Sequence, residues 1–318
     1  MKITEKKSKI NPLSGMYAAL FALIVAIPIR IYQLLNIIEG DTGFYKQIDR
    51  SVYILYGLAI VVIILTYLLT FFAKNVPASK SPFRRNRFLA VTSIAFAVGI
   101  VLDVVNSLSD FLINAKSYAA VNLTIFGTMN QGQIPLLLES VCGIFAAIYI
   151  LVFGISYIDG RTTYSQYKFL ALTPMAWAVM RLIVRFVRKI AYVNVSDLMF
   201  ELFGITFMIV ALLAFARISS GISNVKSMRT LFYSGFIALF LLEAANIPRL
   251  VMLITGNASG IPDEYPVSVA DITFGIFMAS YAINAIKCAK ENDMLETVQV
   301  EEIVEEDNMQ TDDNFLDD

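Results

Sequence analysis

The stretch SVYILYGLAIVVIILTYLLTFFA, residues 51–73, contains no Asp, Glu, Lys or Arg in 23 residues. A helix needs about 20 mostly apolar residues to cross the hydrocarbon core of a bilayer. This stretch is therefore predicted to be a transmembrane helix. The rest of the chain has a similar composition, because 57% of its 318 residues are hydrophobic, which is too many for a soluble domain.

Further apolar runs of similar length predict an all-α fold, a polytopic transmembrane helix bundle of about eight spans. The predicted spans lie near residues 14–38, 51–73, 88–113, 134–157, 168–190, 197–217, 230–254 and 267–287. The first run passes Arg30 and reaches Ile38 with no small-residue cleavage pattern after it. It is therefore predicted to be a retained helix rather than a signal peptide.

The distribution of Lys and Arg predicts the orientation of these spans. With a cytoplasmic N-terminus, the inner segments hold 16 bases and the outer segments hold five. Basic residues concentrate in cytoplasmic loops, so both termini are predicted to be cytoplasmic. A seven-span alternative that omits the fifth span gives 15 inner bases against eight outer bases, a weaker asymmetry.

Charge also divides the chain into three segments. Residues 1–13 form a basic cytoplasmic N-terminus, residues 14–290 form the transmembrane domain, and residues 291–318 form an acidic tail. The tail has twelve acids and no Lys or Arg. This composition predicts a disordered cytoplasmic tail, which could dock a cytoplasmic protein partner.

Charged residues recur at one depth of the predicted spans. From the cytoplasmic end, the first acid or base in nearly every span other than the second comes after roughly 12 to 18 residues, or roughly 18–27 Å along a helix. Arg181, Arg185 and Arg188 share one helical face, as do Asp103, Asn106 and Asp110. These positions predict a charged layer toward the outer side of the membrane.

Ionisable residues inside a membrane normally face the bundle interior or a water-filled cavity. The layer is therefore interpreted as a polar vestibule, open to the outside, in which the arginines of the fifth span face carboxylates of the third, fourth, sixth or seventh span. A small polar or anionic ligand would bind there, to be transported or sensed. The candidate ligand-binding residues are Arg181, Arg185, Asp103, Asp110, Glu139, Glu243, Arg249 and Arg30.

The roles of these residues differ in this hypothesis. Arg181 and Arg185 would meet an anionic group, whereas Asp103, Glu139 and Glu243 would balance the site and could take up a proton or a cation. In the alternative interpretation, the same charges are structural ion pairs in a non-catalytic accessory subunit that docks its partner through the acidic tail. Pro28, Pro174 and Pro248 are predicted to interrupt the first, fifth and seventh spans, either as simple kinks or as breaks that expose backbone acceptors.

Other classes of function find little support in the sequence. The chain contains no histidine, and it lacks phosphate-binding glycine loops and the GxSxG, HExxH and CxxC motifs. We therefore expect no enzyme activity, no cofactor and no metal site. The basic RRNR stretch at 84–87 is a topology signal, so no nucleic-acid partner is expected. Cys142 and Cys288 lie in different spans and are predicted not to form a disulfide.

Two short motifs carry a resemblance to a known group of proteins. DTGFY follows the first span at 41–45, and the fifth span contains Pro174, Trp177, Arg181 and Leu182 in the pattern P-x-x-W-x-x-x-R-L. Both resemble motifs of uncharacterised multi-pass membrane proteins of Gram-positive bacteria. The resemblance implies no activity, but it does suggest a bacterial plasma membrane.

Overall fold

A computed structural model describes residues 11–39, 45–47, 49–73, 76, 85–119, 133–160, 162–187, 195–222, 225–257, 261 and 266–289. These residues form eight helices that are long and apolar enough to cross a membrane, which confirms the predicted all-α bundle. The helices are α1 (Ser14–Tyr32, continued by a π-helical turn at Gln33–Ile37), α2 (Arg50–Phe72), α3 (Arg87–Ala119), α4 (Gln133–Asp159), α5 (Thr173–Val187, which with the preceding 3₁₀ turn forms the span Leu170–Val187), α6 (Val195–Ser219), α7 (Val225–Ile254) and α8 (Val269–Ala289). The predictions for the N-terminal segment up to residue 10 and for the acidic tail lie outside the described residues.

Capping side chains start three of these helices. The carboxylate of Asp49 accepts a hydrogen bond from the backbone N–H of Ser51 at the start of α2. Its hydrogen bond with the Ser51 side chain also lowers the pKa of Asp49 from its ordinary value. Asn86 accepts from Phe88 and Leu89 at the start of α3, and Ser268 caps α8 in the same way.

Left-handed glycines follow three of the helices. Gly160, Gly221 and Gly256 come just after α4, α6 and α7, and their φ angles are 73°, 71° and 77°. Only glycine adopts this conformation without strain, and a glycine there ends a helix by pairing its last carbonyl groups.

Helix α5 is short, and its proline lies in its first turn. It has 15 residues and follows two 3₁₀ turns at Thr163–Gln166 and Leu170–Leu172. Pro174 lies within the fifth span, Leu170–Val187, where the 3₁₀ turn gives way to the α-helix. It is the second residue of α5, so it does not interrupt the α-helix itself. In the first turn the missing N–H of proline deprives no carbonyl of a partner, and its fixed φ suits the helix. Pro28 and Pro248 do lie inside α1 and α7.

Helices α7 and α8 form the centre of the bundle. In the most apolar stretch of α7, 72% of the residues are buried, against 28% in α2, which lies at the periphery. Helix α7 packs against α1, α2 and α6. Helix α8 contacts α3 through Thr92 and Ser280, and its Phe277 packs on Phe153 of α4 and Phe215 of α6.

Small residues allow the helices to approach closely. A Cβ atom at Gly99 of α3 would lie 3.0 Å from the Cα atom of Ala270 in α8, and one at Gly204 of α6 would collide with Leu242 of α7. Such contacts are typical of membrane bundles, where close packing rather than the hydrophobic effect drives association between helices. Cys142 and Cys288 are both free, as predicted.

Candidate functional site

Ten charged residues of the spans lie buried or half-buried at one end of the bundle, which we call the charged end. It is the end at which α1, α3, α5 and α7 finish and α4, α6 and α8 begin. The ten residues are Arg30, Asp103, Asp110, Glu139, Arg181, Arg185, Glu201, Glu243, Arg249 and Asp271. Seven of them are buried, and Asp103, Asp110 and Arg185 are half-buried. Such burial requires specific partners, since an isolated charge is costly to remove from water.

Arg181 of α5 contacts four side chains, those of Asp271, Ser268, Asp103 and Trp177. Both terminal nitrogens of its guanidinium donate to the carboxylate of Asp271 on α8, with an Nη2–Oδ2 distance of 2.9 Å. Nη2 also donates to the hydroxyl of Ser268 at 2.9 Å, and Nε lies 3.8 Å from a carboxylate oxygen of Asp103 on α3. The guanidinium carbon lies 5.6 Å from the ring centroid of Trp177, one turn earlier on α5, in a cation–π contact.

Neighbouring groups hold Asp271 in position for Arg181. The amide of Asn246 on α7 donates to Asp271 at 3.2 Å, and the amide oxygen of Asn246 accepts from the backbone N–H of Ser268 at 2.9 Å. The Ser268 hydroxyl accepts from the backbone N–H of Asp271 at 3.3 Å. Asp271 also lies in the first turn of α8, where the helix dipole stabilises a carboxylate. These contacts join α5, α7 and α8.

A second group of ion pairs surrounds Glu201 of α6. One carboxylate oxygen of Glu201 accepts from Arg249 of α7 at 2.6 Å, and the other lies 3.4 Å from Arg185 of α5. The side chains of Arg249 and Glu201 are 0% and 1% exposed, whereas that of Arg185 is 16% exposed. Of these three residues, only Arg185 lines the open space beside the helices.

That space is a polar cavity of about 90 Å³ between α3, α4, α5 and the start of α8, which we call the vestibule. By this measure one water molecule needs roughly 10–15 Å³, so several waters or a small ligand fit. In its wall, the hydroxyl of Ser107 donates to the buried carboxylate of Glu139 at 3.2 Å. The lining residues are Leu102, Asp103, Asn106, Ser107, Asp110, Glu139, Arg181, Val184, Arg185, Pro266, Val267, Ser268 and Val269.

The vestibule contains five of the eight predicted site residues. Arg181, Arg185, Asp103, Asp110 and Glu139 line it together. The other three lie elsewhere in the charged end. Arg249 is buried behind Glu201, Glu243 is buried against α8, and Arg30 donates to Gln33 at 2.8 Å and lies near Tyr45 and Arg249.

The partners of the α5 arginines also differ from the expectation. Of the four spans predicted to supply carboxylates, the third and sixth supply Asp103 and Glu201. The main partner, Asp271, comes from the eighth span, which was not among the four. Ser268 and Asn246 were also missed. The sequence does contain a signal for Ser268, because Ser268-x-x-Asp271 has the spacing of a helix-capping pair. Arg188 lies outside the described residues.

The fold and the charged end together define an integral membrane protein. Large apolar side chains cover the outside of the described helices, for example Phe21 at 71% exposure and Tyr53 at 66%, while the charged groups are enclosed at one end. No protein-family model, no curated protein and no solved structure matches the chain significantly. Function is therefore inferred from the vestibule itself.

Proposed function

We propose that this protein is a non-enzymatic, multi-pass protein of the plasma membrane that binds a small polar ligand in the vestibule and either transports or senses it. In this proposal both termini are cytoplasmic, and the vestibule opens to the outside of the cell. The positive-inside distribution of Lys and Arg supports that orientation.

The charge of the vestibule favours a ligand with a cationic group, such as a small amine or a zwitterion. This is the observation that carries the proposal. Both lining arginines already have carboxylate partners: Arg181 pairs with Asp271 outside the lining and with Asp103 inside it, and Arg185 pairs with Glu201 outside the lining. Three lining carboxylates, those of Asp103, Asp110 and Glu139, face the same cavity.

The sequence predicts a small polar or anionic ligand, and a purely anionic one would meet these lining carboxylates. An ammonium group would instead approach Glu139 and Asp103 with favourable electrostatics, since a low local dielectric strengthens such attraction. An anionic group on the same ligand could still reach the partly exposed side of Arg185.

The test is a thermal-unfolding screen of the purified protein with ethylamine, glycine and acetate at equal ionic strength. Ethylamine or glycine should raise the unfolding midpoint and acetate should not. A ligand at 100 times its Kd stabilises the folded state by about 2.7 kcal/mol. Glu139→Gln should abolish the shift. Asp159→Asn is the matched control, because Asp159 is exposed at the opposite end of the same helix. Stabilisation by acetate alone, or by none of the three, would contradict the proposal.

The accessory-subunit alternative has its own support in the buried Arg249–Glu201 pair, which holds α6 to α7 without lining the cavity. In that alternative, deleting residues 291–318 abolishes the cellular phenotype and Glu139→Gln leaves it intact. In the ligand-binding proposal, Glu139→Gln gives a folded protein that no longer binds its ligand, and the deletion has little effect.

A further inference from the structure

Glu243 of α7 is a buried carboxylate that the vestibule does not use. It is 5% exposed and does not line the cavity. Its Oε2 atom has no hydrogen-bond donor, and no Lys or Arg among the described residues lies within ion-pairing distance of its carboxylate. In this it differs from Glu201 and Asp271, which both have arginine partners.

The surroundings of Glu243 hold its carboxyl group between α7 and α8. A Cβ atom at Gly275 of α8 would collide with Oε1 of Glu243, so the absence of a side chain there makes the space for this group. Gly275 lies one turn after Asp271 on the same face of α8. Glu243 therefore lies one turn deeper in the bundle than the Arg181–Asp271 pair.

Among the described residues, no positive charge faces Glu243 from the helices packed against it. Helix α1 carries Arg30, which interacts with Gln33 and Tyr45, and α6 carries Glu201. The charged group that interacts with Glu243 is Asp271 of α8, itself a carboxylate. Helix α2 has Arg50 only at its first position, and no other acid or base occurs within it.

An ionised carboxylate in this position would be buried, unpaired and next to a second carboxylate, which is strongly unfavourable. Binding a cation removes the charge. The described residues contain no group of three His, Cys, Asp or Glu side chains that could hold a metal ion. A proton needs only the carboxylate itself.

We propose that Glu243 is a proton-binding site in the membrane interior. At neutral pH the proton is bonded to one oxygen of its carboxyl group. On release, that O–H bond breaks, the proton passes to water entering from the vestibule, and the carboxylate remains. Repulsion between this carboxylate and Asp271 then pushes α7 and α8 apart beside the vestibule. Only this last step, coupling of the proton to the vestibule, rests on the proposed ligand-binding function.

Infrared spectroscopy of the purified protein tests the site without any ligand. A protonated carboxyl group has a C=O stretching band separate from that of a carboxylate, and this band shifts in D₂O. The wild-type protein should show the band at neutral pH, and incorporation of ¹³C-labelled glutamate should move it to lower frequency. Glu243→Gln should remove one component of the band, and Glu139→Gln, which changes the buried glutamate beside Ser107, should leave that component in place. A band that is absent, insensitive to glutamate labelling, or unchanged in Glu243→Gln would overturn the proposal.

Unfolding at different pH values gives a second measurement. Glutamine matches the shape of a protonated glutamate, so Glu243→Gln should unfold at nearly the wild-type midpoint at neutral pH. In the unfolded chain Glu243 ionises near pH 4.3. The folded state thus binds more protons at neutral pH, and the wild-type protein should lose stability as pH rises. Glu243→Gln should lose less over the same range, and an equal loss in both proteins would contradict the site.

The two proposals fail separately. A missing infrared band with intact ethylamine or glycine binding would remove the proton site and leave the ligand site. If the infrared band is present but neither ethylamine nor glycine binds, the proton site stands and the ligand site is removed.

Discussion

At the scale of single residues, Arg181 shows how a guanidinium is accommodated inside a membrane bundle. Its planar fork matches the Asp271 carboxylate with two parallel hydrogen bonds, and a third bond goes to Ser268. The ring of Trp177 contacts its guanidinium. A lysine could not make the same bidentate contact, because its ammonium is a point charge. The P-x-x-W-x-x-x-R-L motif thus has a structural basis, with Pro174 at the start of α5 and Trp177 beside Arg181.

We predict that Arg181→Gln destabilises the protein by about 3–5 kcal/mol, because it leaves Asp271 buried without its cation. The double variant Arg181→Gln, Asp271→Asn should recover part of this loss, since it removes both charges. Arg185→Gln is the matched control, with a smaller expected effect because Arg185 is partly exposed. Thermal unfolding in detergent measures all three. Equal midpoints for the wild type and Arg181→Gln would contradict the central position given to this pair.

At the scale of helices, length and composition were sufficient to predict where the spans lie in the sequence. They were not sufficient to predict which helices pack against each other. Apolar runs of about 20 residues identify a membrane helix from local sequence alone. Contacts between helices depend on which faces meet, and for that reason Asp271 of α8 was missed as the partner of Arg181. The position of Pro174 in the first turn of α5 was not predicted for a similar reason, since the start of α5 follows two 3₁₀ turns that hydrophobicity does not reveal.

We predict that close packing of α4 against α3 and α5 depends on Gly143. A Cβ atom there would collide with Val104 and lie 3.1 Å from the ring of Trp177. Gly143→Ala should therefore destabilise the protein by about 1–3 kcal/mol through overpacking. Gly57→Ala of α2 is the control, because nothing lies within 4 Å of a Cβ atom at Gly57. Its unfolding midpoint should be unchanged or slightly raised, and a similar loss in both variants would refute the packing argument.

At the scale of the whole molecule, the charged layer could be predicted from sequence because nearly every span other than the second carries its charge at a similar depth. The sequence could not predict which residues of that layer line the vestibule and which lie outside it. Five of the eight candidate residues line one vestibule, while Arg30, Arg249 and Glu243 lie outside it. This separation follows from the central position of α7, which buries Glu243 and Arg249 inside the bundle.

The most direct test of a water-filled vestibule that opens to the outside is thiol labelling of intact cells. The cells would carry the protein with Cys142→Ala and Cys288→Ala, and the reagent would be membrane-impermeant. Single cysteines would be introduced by Asn106→Cys in the vestibule, Asn257→Cys after α7, Met252→Cys in the buried part of α7, and Ile222→Cys at the opposite end.

We predict that the cysteines at positions 106 and 257 react from outside, that the one at 222 reacts only after permeabilisation, and that the one at 252 does not react in either condition. This pattern would establish a water-filled vestibule on the outer side. Reaction at 257 but not at 106 would mean a dry layer of ion pairs, and reaction at 222 in intact cells would mean the opposite orientation. Either result would contradict the account.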